Sequence, residues 1–201
     1  MIGRVVLYGS IGGALGAAGW YLTSVLLDEE ADLPEWRKAM LRKARWHLEN
    51  RTPYQWGGGR SPSNYGVDCS GMVITCLKEA GVELPPEGGT SGVWWNVLPR
   101  VEVPQPGDVA LFGRPDKAVH VTLVEKALEG GDAMTIGANN GDRDVTSPEI
   151  AAARNAFVFR KRALEWSNFL GYCTFDPEVR AAQVPAGMKI SKLVKPVWCC
   201  D

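Results

Sequence analysis

Apolar positions along the chain change their spacing twice, and the changes divide it into three parts. Residues 5–27 carry no charge at all. As one helix those 23 residues would reach about 35 Å, the scale of a bilayer core. From residue 36 the apolar positions recur every three to four residues: Trp36, Met40, Ala44, then His47 or Leu48. That spacing predicts an amphipathic helix. Asp32-Leu33-Pro34-Glu35 before it has the form of a helix start, with Asp32 as the cap. A second helical pattern, Met72, Val73, Cys76, Leu77 and Ala80, begins at Cys69. Gly81 closes it as a left-handed cap, and Pro85-Pro86 prevents its continuation. A shorter helix is expected from Thr90 to Leu98.

After Pro104 the period falls to two. Strands are expected at Val109–Phe112, Val119–Glu125, Ala133–Ala138 and Phe157–Arg160. The links between them are short and rich in glycine, which implies antiparallel pairing, because parallel neighbours need long crossovers. Helices first and strands afterwards give an α+β domain. Periodicity fades after Tyr172. The expected division is an apolar segment over 1–31, one domain over 32–172, and an irregular tail over 173–201.

Composition removes several function classes. A net charge of −1 on 201 residues, with no long basic tract, gives no basis for a nucleic-acid partner. The five cysteines are Cys69, Cys76, Cys173, Cys199 and Cys200. They form no C-x-x-C pair, so neither a zinc site nor a disulfide framework is indicated, though Cys173 could pair with either terminal cysteine in an oxidising compartment. No metal and no cofactor is expected. The triple glycine at Gly57–Gly59 lacks the Lys-Ser/Thr of a phosphate loop. It reads better as backbone passing close to a neighbour. Cys76 falls on the same helix face as Cys69, two turns on, and reads as a small buried hydrophobe. His47 reads as a structural or surface histidine rather than a catalyst.

The candidate chemistry lies at Asp68-Cys69-Ser70-Gly71. A cysteine on a first helical turn faces unpaired N–H groups and the positive end of the helix dipole, which favour a thiolate. His120, one of two histidines, opens a later strand. A cysteine nucleophile with a histidine base follows.

Four motifs in this order, Pro53-Tyr54-Gln55-Trp56-Gly57-Gly58, Asp68-Cys69-Ser70-Gly71, Pro106-Gly107-Asp108 and His120-Val121, resemble the NlpC family of cell-wall cysteine peptidases. The resemblance covers residues 36–172 and implies a papain-like α+β fold. It implies hydrolysis of stem-peptide bonds in peptidoglycan, of the type joining D-glutamate to a diamino acid. Cys69 would be the nucleophile and His120 the base. Tyr54 would help the Cys69 N–H hold the oxyanion, and Asp68 and Ser70 would contact the stem peptide. For Asp68 a plain helix-capping role stands beside that one. The family's third polar residue, usually a histidine that orients the base, aligns with Gly137. Asn139 is the preferred substitute, with Asn140, a backbone carbonyl or a water as alternatives. The loop from Tyr54 to Cys69 is longer than is usual in the family.

Two other functions stay open: an amidase or acyltransferase on the same fold, and a structural virion component keeping a degenerate peptidase fold. The apolar segment over 5–27 contains Gly9-x-x-x-Gly13 and Gly12-x-x-x-Gly16 spacings, which let helices pack closely. It is expected to be a membrane anchor, a cleaved signal peptide, or a helix that packs against other copies in an assembly. The basic residues Arg37, Lys38, Arg42, Lys43 and Arg45 after it oppose simple export. Location is therefore expected either in a phage virion, among tail proteins, or at a bacterial envelope with the domain outside the cytoplasm. The virion is preferred.

Overall fold

The computed structural model describes residues 30–182. The chain divides after Leu33 into two units, and the fold below belongs to the second. The apolar segment over 5–27, Cys199 and Cys200 lie outside the described residues. Among the described residues no helix is long and apolar enough to cross a membrane.

Helix α1 spans Glu35–Glu49. It starts two residues later than the Asp32 motif predicts, with Pro34 at the cap position and no side-chain cap. The cause is local: a residue before proline is pushed out of the α region, so Leu33 cannot begin the helix. The buried face carries Arg37, Met40, Leu41, Ala44 and His47. Trp36 lies off it, half-buried. Arg37, counted among the flanking basic residues in the sequence, is only 3 % exposed. Its guanidinium meets the Asp108 carboxylate at 2.9 Å, donates to the Pro106 carbonyl at 2.8 Å and donates to the Thr174 hydroxyl at 3.2 Å. Pro106-Gly107-Asp108 is therefore an anchor for α1, and burial of an ion pair is tolerated because the remaining donors are also satisfied.

Helix α2 spans Cys69–Glu79 and α3 spans Ser91–Val97, both where the periodicity places them. Thr90 caps α3. Gly81 follows α2 with φ +66°. Cys76 is fully buried. His47 is buried between the Thr52 and Thr75 hydroxyls at 3.0 and 2.8 Å, as a structural histidine should be.

Six strands form one sheet: β1 Arg100–Val101, β2 Val109–Arg114, β3 Lys117–Ala127, β4 Ala133–Ala138, β5 Val158–Arg162 and β6 Phe169–Cys173. Their order is β1-β6-β2-β3-β4-β5, and every pairing is antiparallel. Helix α4, Pro148–Ala153, lies between β4 and β5 in sequence. Four strands match the period-two runs within a few residues. β1 and β6 do not. Two residues carry no readable period, and Gly171 interrupts the apolar pattern of β6. Alternation along β2 sends Val109 and Leu111 to one face and Ala110 and Phe112 to the other. Ala110, Phe112, Val124, Ala133, Ala163 and Tyr172 make one core cluster, with Trp166 and Phe169 packed on it.

The expected irregular tail begins later than residue 173. Cys173 ends β6, Phe175 is fully buried with its ring edge-on to Trp94 at 5.2 Å, and Pro177–Ala182 forms helix α5. The hidden signal was tertiary: these residues gain order from Arg37 and Trp94, not from their own periodicity.

Candidate active site

The site is built from the Tyr54–Asp68 loop outward. Asp68 is the N-cap of α2. Its Oδ1 accepts from the Gly71 N–H at 2.6 Å and from the Ser70 hydroxyl at 3.0 Å. Its Oδ2 accepts from the Gly57 N–H at 3.0 Å and from Arg60 at 2.7 Å. A Cβ on Gly71 would overlap the Gly58 carbonyl oxygen. The glycines of the loop thus let its backbone lie directly on the first turn of α2, which explains the Gly57–Gly59 run without any phosphate. The same folding puts Tyr54 beside Val67 in a backbone bridge and buries its ring at 3 % exposure.

Cys69 is half-buried on that first turn. The N–H groups of Ser70 and Val121 favour its thiolate, but burial and the Asp68 charge outweigh them and push the thiol up to about 11. Desolvation and the neighbouring carboxylate thus act against the thiolate that the helix start favours. Val121 follows His120, so its bond to the sulfur also fixes where β3 delivers the imidazole.

His120 is half-buried. Its ring packs in one cluster with Phe112, 5.6 Å between centroids, and Trp166, 5.1 Å, which also touch each other at 5.3 Å. Nε2 stands 2.8 Å from Asn139 Oδ1. Asn139 is 2 % exposed, and its Nδ2 donates to the Gly137 carbonyl at 2.7 Å. With the amide nitrogen so committed, Oδ1 is the acceptor and Nε2 carries the ring proton. Nδ1 is left with its lone pair. Burial lowers the imidazole to about 4, against the opposing effects of Asn139 and Asp68. The surroundings of each group thus favour its neutral form. The position aligned with the family's third residue, Gly137, has no room for a side chain, because a Cβ there would overlap the Thr122 methyl. Asn140 points elsewhere, donating to the Asn155 carbonyl at 3.1 Å.

Tyr54 stays a phenol: burial first, then the charges of Cys69, Asp68 and Asp142, raise its ionisation well above the ordinary range. It is a donor at any physiological pH. Its ring packs where a Cβ on Gly141 would otherwise stand. Ser70 is 5 % exposed, its hydroxyl donating to Asp68 and accepting from Arg60 at 2.7 Å.

The structure thus gathers Cys69, His120, Asn139, Tyr54, Asp68 and Ser70 at one place. It adds Arg60 and Trp166, which the sequence did not single out. Arg60 had one signal, a lone cation eight residues before the Asp68 carboxylate. Trp166 had none, since it reaches His120 across the sheet. Among the described residues no three His, Cys, Asp or Glu side chains are grouped to hold a metal ion.

A half-buried cysteine at a helix start, beside a strand-borne histidine held by an amide, defines an α+β domain of cysteine-nucleophile type. The NlpC/P60 family model matches residues 51–156, more than half the chain, and the protein belongs to that family. Over 81 residues it is 33 % identical to the peptidoglycan endopeptidase RipA of Mycobacterium tuberculosis, covering 35 % of this chain and 17 % of RipA. Among solved structures it is similar to an NLP/P60 family protein of Staphylococcus aureus described as similar to lipoprotein, with TM-score 0.50 and 17 % identity, covering 77 % of this chain and 47 % of that one. NlpC1 of Trichomonas vaginalis gives TM-score 0.51 and 14 % identity, covering 70 % and 44 %. The chain spans a sixth of the length of RipA and about half that of the two structural relatives. These likenesses support the α+β, NlpC-type fold expected from the sequence.

Proposed function

We propose that this domain is a cysteine peptidase that hydrolyses stem-peptide bonds in peptidoglycan, of the D-glutamyl–diamino acid type. The observation that carries the reading is the tautomer of His120. Asn139 fixes the proton on Nε2, so Nδ1 is a base, and the Val121 N–H holds the Cys69 sulfur next to the strand that carries it.

His120 Nδ1 takes the thiol proton as Sγ attacks the scissile carbonyl. With the surroundings of each group favouring its neutral form, charge separates on the way to the transition state, where a nearby substrate oxyanion offsets the imidazolium. The oxyanion takes the Cys69 N–H and the Tyr54 hydroxyl, donors commonly worth about 3 kcal/mol each. The imidazolium then protonates the leaving amine, and the C–N bond breaks to give a thioester on Cys69. Water, deprotonated by the same nitrogen, hydrolyses that thioester and restores the thiol.

Digestion of purified sacculi with wild type, Cys69→Ala and His120→Ala, read by mass spectrometry of the muropeptides, tests this. Wild type should release fragments with new diamino-acid amino termini, and both variants should release none. Clearance by Cys69→Ala at the wild-type rate overturns the mechanism.

A further inference from the structure

Tyr54 is held by chain that lies far from it in sequence. Its N–H donates to the Ala156 carbonyl at 2.9 Å, and its backbone forms a bridge with Val67. The stretch over residues 154–157 holds a second segment at the same time, the link from β4 to α4. Asn139 donates its N–H to the Phe157 carbonyl at 3.1 Å, Asn140 donates from Nδ2 to the Asn155 carbonyl at 3.1 Å, and Asp142 meets the Arg154 guanidinium at 2.7 Å. Further along, the Val145 carbonyl accepts from the Trp56 N–H at 3.4 Å. The link is thus pinned from end to end. It begins with Asn139, whose amide fixes the ring proton of His120.

Between those pins Gly141 stands against the Tyr54 ring. A Cβ there would overlap Cγ, Cδ1 and Cε1, the body of the ring and not a flexible end. The turn itself does not call for this glycine. Its backbone is not left-handed, and it is Asn140 before it that takes φ +61°. The bare Cα therefore serves the ring. Tyr54 is 3 % exposed, and its backbone is tied on both sides. A displaced ring can yield only by turning about its side-chain bonds, so the hydroxyl, farthest from the backbone, moves most.

We propose that Gly141 is a positioning residue: standing bare against the Tyr54 ring, it sets where the Tyr54 hydroxyl lies as an oxyanion donor, on the same pinned link that carries the partner of the base. The inference rests on the peptidase reading for what the hydroxyl does, and adds what holds it in place. An oxyanion donor acts within about 2.7–3.1 Å of the oxygen it serves. A misplacement of about 1 Å costs on the order of 100-fold in rate.

Muropeptides released from sacculi by a muramidase give a soluble substrate for the test. Gly141→Ala should lower kcat by roughly 100-fold, as Tyr54→Phe does, with KM changed by less than about twofold. In the Tyr54→Phe background the same substitution should cost less than about threefold more, because the hydroxyl it displaces is already gone. Losses that multiply, as they would if Gly141 served folding alone, overturn the inference. So does a wild-type kcat in Gly141→Ala. A fluorine signal needs no turnover. With 3-fluorotyrosine at the five tyrosines, the NMR resonance that Tyr54→Phe lacks should shift in Gly141→Ala while the other four stay. An unshifted resonance overturns the placement. If wild type digests nothing, the peptidase reading falls and this resonance alone decides the placement of the ring. Should Gly141→Ala not fold by circular dichroism, Tyr54→Ala combined with it must fold as well as Tyr54→Ala alone. A double variant as unfolded as Gly141→Ala overturns the contact itself.

Discussion

At the scale of single residues, the site is set by where one proton sits. Asn139 holds it on His120 Nε2, and burial keeps the second one off, with the imidazole near 4. Removing the amide in Asn139→Ala leaves the ring free to turn and to adopt the other tautomer. We expect kcat/KM to fall by roughly 10- to 100-fold with little change in KM or in the unfolding midpoint, the size usual for loss of an orienting partner. Asn139→Asp tests the electrostatics separately. A carboxylate beside the ring favours imidazolium, so the acid limb of kcat/KM against pH should move upward from the wild-type position. An unmoved limb would show that His120 is not the group being titrated.

At the scale of elements, the glycine loop and the start of α2 form one unit. A methyl on Gly71 overlaps the Gly58 carbonyl, and neither backbone can retreat without breaking the Asp68 cap. Gly71→Ala should therefore cost about 2–4 kcal/mol in urea unfolding, in the range of overpacking plus a lost cap. Gly57 has φ +73° but open space around its Cβ position, so Gly57→Ala should cost only about 1 kcal/mol, the left-handed penalty alone. Equal costs would show that the contact is not what the glycines serve.

Element patterns also explain what was readable in advance. α2, α3 and the four inner and outer strands from Val109 to Arg162 announce themselves because each buries one face against its neighbours, which imposes a period. Cys69, His120 and Tyr54 were readable from motif order, and Asn139 only as the preferred of several substitutes for the third residue that the resemblance implies. Arg37 misled because a buried arginine looks like a surface one until Asp108, 71 positions away, is known. β6 and Phe175 misled because their order comes from contacts with Trp95, Trp94 and Arg37. Trp166 was invisible for the same reason: no local pattern reports a ring that packs on His120 from another strand's turn. What opposes a thiolate at Cys69, burial and the Asp68 charge, depends on packing that the linear chain does not carry.

At the scale of the whole domain, two histidines, buried His47 and half-buried His120, make stability depend on pH. His47 and His120 both titrate near 4 in the fold, chiefly through burial, against about 6.5 in an unfolded chain. Each is neutral in the fold while the unfolded chain binds a proton between those values. Stability is thus fully present above pH 6.5 and is lost as pH falls toward 4. The upper bound is about 3 kcal/mol for each histidine, from 1.36 kcal/mol per unit. Urea midpoints measured at pH 7, 6, 5 and 4 should fall steadily over that window. In His47→Gln the fall should be shallower, by close to half.

The clasp on Arg37 sets a rule for cutting this protein. Thr174 and Asp176 share the guanidinium with Asp108, and β6 lies between β1 and β2. A fragment trimmed to residues 51–156, though it contains every side chain that touches the thiol or its base except Trp166, would lose α1 and strip one neighbour from β2. Its open strand edge would be a template for other chains. With Trp166 gone, the His120 ring would lose one of its aromatic neighbours, and the imidazole would drift back toward its ordinary basicity. The working unit is therefore wider than the motif-bearing stretch by a helix on one side and by two strands, β5 and β6, with the clasp on the other.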